Sequence, residues 1–255
     1  MSAEGAPEPR FRALLPRAPE GSETITAQEA LADWREQEGP LPRVALNMVA
    51  SLDGRIAVGG RSAPLSSPAD RALFHALRAQ ADAVMAGART VMLERYGPMI
   101  KNAQTRAQRA QAGLPEQPIA VIPSRRLDLD PELPLLADPG SRVVILTPAS
   151  GDLPPCAAQV DYVRAPTLRA ALAELASRYG VRVLLCEGGP TLNGSLAAEG
   201  LIDELFLARA PVLVGDEHGA GALLEGHALS EPQRLELRML LEANGHLYGH
   251  YLRAQ

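Results

Sequence analysis

Residues 181–195, VRVLLCEGGPTLNGS, place one acidic side chain and two glycines between an apolar run and the start of a helix. The apolar run predicts a buried strand, and Pro190 is typical of the first turn of a helix. A helix N-terminus presents free backbone N–H groups and partial positive charge, which together favour a phosphate. Glu187 would lie beside that phosphate, facing whatever binds there.

A second junction of the same kind occurs at residues 82–90, DAVMAGART, where a short apolar run ends at Gly87. Two strand ends that carry glycine suggest a nucleotide cofactor in an α/β protein. Neither junction spells the G-x-G-x-x-G or P-loop signature. Glycines that only relieve crowding at a strand-to-helix turn therefore remain an alternative.

Polar residues near the first core strand extend this pattern. Asn47 stands among apolar neighbours and needs a hydrogen-bond partner, which is either a ligand or the backbone. Asp53 precedes Gly54 and fits a plain turn better than a catalytic role. Arg78 follows Phe74 by one helical turn. It is either a site residue or a solvated arginine on the surface.

Ser124, Arg125 and Arg126 follow directly on the predicted strand 118–122. A hydroxyl and two guanidinium groups can recognise a ribose 2′-phosphate, because forked donors match phosphate geometry. A basic surface loop is the equally acceptable alternative.

The sequence predicts no metal site. His246 and His250 are four residues apart, but no cysteine or carboxylate completes a zinc set around them. Cys156 and Cys186 have no ligand spacing, and the signatures of zinc deaminases and of serine hydrolases are absent.

The elements that position these residues alternate between strand and helix. Strands are predicted at 43–50, 82–86, 118–122, 142–147, 160–163, 181–186 and 203–210. Helices are predicted after Ser67, from Thr90, from Thr167 to Tyr179 and at 191–199. This order predicts a mostly parallel sheet with helices on both faces. Segments 234–242 and 246–252 flank Asn244-Gly245, a strong hairpin signal that adds an antiparallel edge.

The chain divides into an N-terminal extension, residues 1–40, and one domain over residues 41–255. The extension contains one short helix that begins with the capping box of Thr26 and Glu29 and runs through Glu36. Its first 22 or so residues are rich in Pro, Ala, Glu and Gly and are expected to be loose. Residues 101–116 are predicted to form a polar loop.

Composition excludes several classes of protein. A net charge of −5 disfavours broad nucleic-acid binding. No apolar run approaches the roughly 20 residues that a membrane-spanning helix needs. There is no secretory signal pattern, and the low cysteine content predicts a reducing, cytoplasmic setting.

In combination, several of these motifs resemble the pyrimidine reductases of riboflavin biosynthesis. The motifs are Asn47, the Ser51–Gly54 turn, Ser67 to Asp82, Gly87 to Thr90 and Glu187 to Leu192. The resemblance covers roughly residues 43–253 and implies an α/β, dihydrofolate-reductase-like fold. It also implies NADPH as hydride donor and reduction of a ribosylaminopyrimidine 5′-phosphate to the ribitylamino product. Two substrates stay open, the 2,5-diamino pyrimidinone and its deaminated 5-amino-uracil form.

The resemblance further implies roles for individual residues. Glu187 and Asn47 are the expected catalytic pair. The expected substrate contacts are Ser62, Arg78, Pro98 and Lys101, with Arg78 and Lys101 neutralising the phosphate. The expected cofactor contacts are Val49, Thr90, Glu94, Ser124, Arg125, Gly188, Gly189, Pro190, Thr191 and Leu192. The sequence departs from many relatives at Glu94, where they have Asp, and at Pro64, where bacterial bifunctional enzymes often have Trp.

Two other functions stay open from the sequence. The same fold could reduce another imine or a pterin such as dihydrofolate, or bind NADPH without catalysis. The hairpin edge with Leu247, Tyr248 and Tyr251 invites self-pairing and predicts a homodimer.

Overall fold

The computed structural model describes residues 7–16, 24–35, 39–215 and 221–254. Its strands are β1 (Arg12–Leu15), β2 (Arg43–Ser51), β3 (Ala83–Met85), β4 (Ile119–Pro123), β5 (Arg142–Leu146), β6 (Gln159–Val163), β7 (Val183–Cys186), β8 (Glu204–Ala210), β9 (Leu235–Ala243) and β10 (His246–Arg253). Its α-helices are α1 (Ala27–Ala30), α2 (Pro68–Gln80), α3 (Ala88–Leu93), α4 (Ala103–Gln111), α5 (Leu168–Tyr179) and α6 (Pro190–Ala198).

The strands form one sheet in the order β1-β9-β10-β8-β2-β7-β3-β4-β5-β6. The run from β8 to β6 is parallel throughout. Strand β10 is antiparallel to β8 and forms the predicted hairpin with β9. The prediction of a mostly parallel sheet with an antiparallel C-terminal hairpin is therefore confirmed.

Helices cover both faces of this sheet. Because side chains alternate along a strand, Val84 of β3 packs on one face and Met85 on the other. Helix α2 buries Leu73 and Leu77 on the first face. Helices α5 and α6 cover the opposite face. Within the described ranges, no helix has the length and apolar character needed to cross a membrane.

Local signals set the ends of helices α2 and α5. The Ser67 hydroxyl accepts a hydrogen bond from the Asp70 N–H at the start of α2. Thr167 caps α5 in the same way through Ala170 N–H, and α5 ends at Gly180, whose φ is +68°. Helix α2 begins where it was predicted, and α5 begins and ends within one residue of its predicted bounds.

The N-terminal segment departs from expectation. Strand β1 pairs with β9, and Phe11 is fully buried against Tyr248 with ring centroids 5.2 Å apart. A loose terminus is therefore the wrong expectation for residues 11–15. Helix α1 ends at Ala30, earlier than predicted, and Glu36 lies outside the described residues.

Two other predictions need correction. The predicted loop at 101–116 contains helix α4, whose Arg109 is buried and donates to the carbonyl oxygens of Ala79 and Ala81 at the C-terminal end of α2. The hairpin is not an edge of the sheet, because β10 lies between β8 and β9 and β1 covers β9. Tyr248 is buried inside the protein, so it is not available for the expected self-pairing.

Candidate active site

A cleft of about 1740 Å³ lies over the carboxyl ends of the parallel strands. Residues one or two positions beyond the ends of parallel strands lie in the wall, among them Gly87 after β3, Ser124 after β4, Thr147 after β5 and Glu187 after β7. Ligands of open α/β sheets bind in this position. Single-ligand pockets usually occupy about 300–1,000 Å³, so this cleft has room for two ligands.

Most of the predicted site residues line this cleft. They are Asn47, Val49, Ser62, Arg78, Thr90, Glu94, Ser124, Arg125, Glu187, Gly189, Pro190, Thr191 and Leu192. Pro98, Lys101 and Gly188 do not form part of its wall. Pro98 and Lys101 belong to the segment after Tyr96, and Lys101 is exposed to solvent outside the cleft. Gly188 lies behind the wall, and a Cβ there would meet Met48 Sδ at 3.0 Å.

Glu187 and Arg78 form a bidentate ion pair in the wall of the cleft. Arg78 Nε donates to Glu187 Oε1 at 2.6 Å, and Nη2 donates to Oε2 at 2.7 Å. The third nitrogen, Nη1, donates to the Met99 carbonyl oxygen at 2.9 Å. Burial opposes the charge on Arg78, but the Glu187 carboxylate outweighs burial and raises the arginine pKa.

This pairing changes the role expected of Arg78. All three of its nitrogens donate to protein groups, and its guanidinium lies over the Phe74 ring at 4.2 Å. The expected contact with a substrate phosphate would compete with that network. The geometry instead assigns Arg78 to holding Glu187.

Tyr96 is a site residue that sequence reasoning missed. Its hydroxyl donates to Glu187 Oε2 at 2.7 Å, and its ring lies 5.4 Å from the Arg78 guanidinium carbon. Tyr96 follows the end of α3 within a segment that has no recognisable motif. Only the fold brings it beside Glu187, 91 residues away along the chain.

The paired glycines bring bare backbone to the cleft. A Cβ on Gly189 would meet Thr90 Oγ1 at 2.7 Å, so no larger residue fits without a shift. The peptide bond between Gly188 and Gly189 is cis, and Gly189 caps α6 without a side-chain hydrogen bond. The first turn of α6 therefore has N–H groups that no N-cap side chain satisfies, an arrangement that suits an anion.

Asn47 and Asp53 take different roles. Asn47 lines the cleft, and its amide makes no hydrogen bond to another described residue, so it is available to a ligand. Asp53 accepts hydrogen bonds from Ser51 Oγ and from the N–H groups of Val214 and Gly215. Asp53 therefore secures a turn, as expected.

Two of the residues predicted to bind the cofactor, Ser124 and Arg125, line the cleft just beyond the end of β4. Ser124 is buried at the end of β4, where its hydroxyl accepts from Leu127 N–H at 3.2 Å. Arg125 is exposed and has no ion-pair partner within the described parts of the chain. Elsewhere in the wall, Ser62 N–H lies 3.5 Å from Glu94 Oε1. This contact links Ser62, an expected substrate contact, to Glu94, an expected cofactor contact.

His250 is a structural residue. His250 Nε2 lies 2.9 Å from Glu204 Oε2, and its ring stacks on Phe206 with centroids 4.0 Å apart. Among the described residues, no group of three metal-binding side chains is present.

This chain matches a known protein family over most of its length. A family described as the RibD C-terminal domain matches residues 42–243. The chain belongs to the RibD C-terminal domain family. Membership implies a nicotinamide cofactor, in agreement with the glycine-lined cleft.

Two curated relatives match this chain over different shares of their own length. The 2,5-diamino-6-ribosylamino-4(3H)-pyrimidinone 5′-phosphate reductase of Methanothermobacter thermautotrophicus is 30% identical, with 77% of this chain and 91% of the relative covered. The riboflavin biosynthesis protein RibD of Escherichia coli is 29% identical, and the match covers 69% of this chain but 50% of that protein. The chain thus spans about half the length of its RibD relatives.

Solved structures of the family have the same fold. A pyrimidine reductase-like protein of Corynebacterium diphtheriae superposes with a TM-score of 0.73 at 23% identity, covering 91% of this chain and 100% of that one. RibD of Acinetobacter baumannii gives a TM-score of 0.68 at 26% identity, covering 85% of this chain and 59% of that one. The dihydrofolate-reductase-like fold expected from the sequence is confirmed.

Proposed function

We propose that this chain is an NADPH-dependent oxidoreductase of riboflavin biosynthesis that reduces a ribosylaminopyrimidine 5′-phosphate to the ribitylamino product. The observation that carries the proposal is the position of Glu187. Its carboxylate, held by Arg78 and Tyr96, lines the same cleft as the uncapped N-terminus of α6. An oriented acceptor thus lies beside a site that suits a dinucleotide pyrophosphate.

The cleft fits the cofactor on grounds of shape and donor chemistry. The N–H groups of Thr191 and Leu192 are in the first turn of α6, where an anion binds favourably. Thr90, Ser124 and Arg125 line the same cleft, and Arg125 is free to bind a 2′-phosphate. When bound, NADPH supplies the hydride that reduces C1′ of the opened ribose.

The residues of the chain itself orient the substrate. The ribosylamine opens to an imine, which accepts hydride readily when it is protonated, so no nucleophile is required. In the proposal, Glu187 accepts hydrogen bonds from the substrate ring or ribose hydroxyls, and the Asn47 amide contacts the substrate nearby. Ser62 and Arg71 line the cleft, and Arg71 has no ion-pair partner in the described ranges, so the proposal assigns the phosphate to these two residues.

The diamino pyrimidinone is the favoured substrate. The relative covered over 91% of its length is named for that compound, whereas the RibD relatives match over about half of theirs. No feature of the cleft favours a pterin or a binding role without catalysis.

A homodimer remains part of the proposal, through exposed leucines on and near the hairpin instead of through pairing of a free strand edge. Leu237 and Leu247 of the hairpin are 40% and 38% exposed, and Leu213 is 77% exposed. Sedimentation at micromolar concentration tests this assembly, and a monomer there would contradict it.

One experiment tests the function. Each pyrimidine phosphate is offered to the purified protein with NADPH and then with NADH, and oxidation of the cofactor is followed by absorbance. We expect turnover of the diamino compound with NADPH. Absence of cofactor oxidation with both pyrimidines would overturn the proposal.

A further inference from the structure

Glu187 is held at both of its carboxylate oxygens. Oε1 accepts from Arg78 Nε at 2.6 Å, while Oε2 accepts from Arg78 Nη2 and from the Tyr96 hydroxyl, each at 2.7 Å. Three donors from two side chains leave the carboxylate little freedom to rotate. Charge-assisted hydrogen bonds of this length are among the stronger ones in proteins.

The backbone fixes Tyr96 before its side chain reaches the cleft. Arg95, at a φ of +47°, turns the chain at the end of α3. Tyr96 N–H then donates to the Val91 carbonyl oxygen at 3.0 Å, and the Tyr96 carbonyl oxygen accepts from Leu135 N–H at 2.9 Å. Backbone hydrogen bonds thus hold Tyr96 at both its N–H and its carbonyl group, and this fixes the position of its hydroxyl next to Glu187.

Tyr96 acts as a donor and not as a base. Burial, followed by the nearby Glu187 charge, raises its pKa well above the ordinary value of a tyrosine. The phenol therefore keeps its proton at neutral pH and donates it to the carboxylate in a hydrogen bond. A role in abstracting a proton from substrate is disfavoured.

We propose that Tyr96 is a positioning residue, whose hydroxyl acts with Arg78 to fix the Glu187 carboxylate in the orientation that receives the substrate. The inference rests on the proposed function and deepens it. Arg78 alone could fix the plane of the Glu187 carboxylate. The Tyr96 hydroxyl adds a hydrogen bond that reaches Oε2 from a second direction. The remaining lone pairs of Glu187 then point to the substrate in one arrangement.

The test is a double-mutant cycle of Tyr96→Phe, Glu187→Gln and the two together, assayed with the diamino pyrimidine phosphate and NADPH. Tyr96→Phe keeps the ring and the Arg78–Glu187 pair, so the variant should fold, which thermal unfolding checks. We expect kcat to fall about tenfold with little change in KM for NADPH, since a hydrogen bond to a charged group is lost. In the Glu187→Gln background, Tyr96→Phe should have almost no further effect on kcat.

Tyr162→Phe is the matched control, because it removes a tyrosine hydroxyl that accepts from Leu153 N–H outside the cleft wall. Its kcat should equal that of the wild type. Independent, multiplicative effects of the Tyr96 and Glu187 substitutions, or a Tyr96→Phe variant with normal kcat, would overturn the inference alone. A wild-type protein that oxidises NADPH with neither pyrimidine would overturn the proposed function and this inference with it.

Discussion

The backbone N–H of Gly87 donates a hydrogen bond to the carbonyl oxygen of Gly188 at 2.8 Å. This bond joins the ends of β3 and β7, which are neighbours in the sheet. The two glycine junctions that are separate in the sequence therefore form one surface. Thr90 from the first junction lies so near Gly189 of the second that a Cβ on Gly189 would come within 2.7 Å of Thr90 Oγ1.

Gly189→Ala should weaken NADPH binding about tenfold or more while the protein remains folded. The new Cβ would lie 2.7 Å from Thr90 Oγ1, so either Thr90 or the backbone at the start of α6 must shift. Fluorescence titration with NADPH measures the effect. Gly140→Ala is the control, because its nearest contact would be an ordinary 3.5 Å. Equal NADPH affinity in the two variants would contradict the assignment of this surface to the cofactor.

Arg78→Lys should lower kcat/KM for the pyrimidine phosphate by about tenfold to a hundredfold, because one ammonium cannot hold both oxygens of Glu187. Steady-state kinetics measure this, and the KM for NADPH should change little. Arg142→Lys alters an exposed pair with Asp161 at 3.4 Å and should leave the kinetics unchanged. An Arg78→Lys enzyme with wild-type kcat/KM would show that the bidentate pair is dispensable.

Arg125→Ala should lower kcat/KM for NADPH by about tenfold or more and leave the value for NADH unchanged, since only NADPH carries the 2′-phosphate. The neighbouring Arg126 does not line the cleft, so Arg126→Ala is the matched control. The ratio of NADPH to NADH efficiency is the quantity to compare. A ratio that changes equally in both variants would remove Arg125 from the cofactor site.

Asp53→Asn should flatten the acid dependence of stability. Hydrogen bonds from Ser51 and from the N–H groups of Gly215 and Val214 lower the Asp53 pKa from 3.8 to about 2. The folded state favours the carboxylate, so its contribution is full above pH 3.8 and is lost as the pH falls through about 2. The difference in Tm between wild type and variant should therefore shrink from pH 5 to pH 2, and a constant difference would argue against it.

Phe11→Ala should lower the free energy of unfolding by about 3–5 kcal/mol, the usual cost of truncating a buried phenylalanine. Phe11 is fully buried and makes an edge contact with the Tyr248 ring. Leu14→Ala, at a residue that is 37% exposed, should cost far less. Denaturant unfolding compares the two. Equal losses would indicate that the N-terminal extension is not part of the cooperative domain.

Much of the fold could be read from local signals. The apolar runs of β4, β5 and β7, the caps at Ser67 and Thr167, and the Asn244-Gly245 turn depend on neighbouring residues only, and each is present. The sequence did not predict helix α4, because the segment AQTRAQRAQ has no apolar stripe. Its one buried side chain is Arg109, which donates to carbonyl oxygens at the end of α2. The sequence did not predict strand β1, because its pairing with β9 joins residues more than 200 positions apart.

By itself the sequence determined the alternating α/β order, the two glycine junctions and the acidic residue at the end of β7, which follow from periodicity, turn chemistry and motifs that act over a few residues. The resemblance to the reductase family added further site residues, and most of the predicted ones line the cleft. Only the tertiary structure decided that Arg78 holds Glu187 and that Tyr96 joins them. It also decided that the hairpin is interior to the sheet. Such contacts depend on the lateral order of strands, which the order of elements along the chain leaves open.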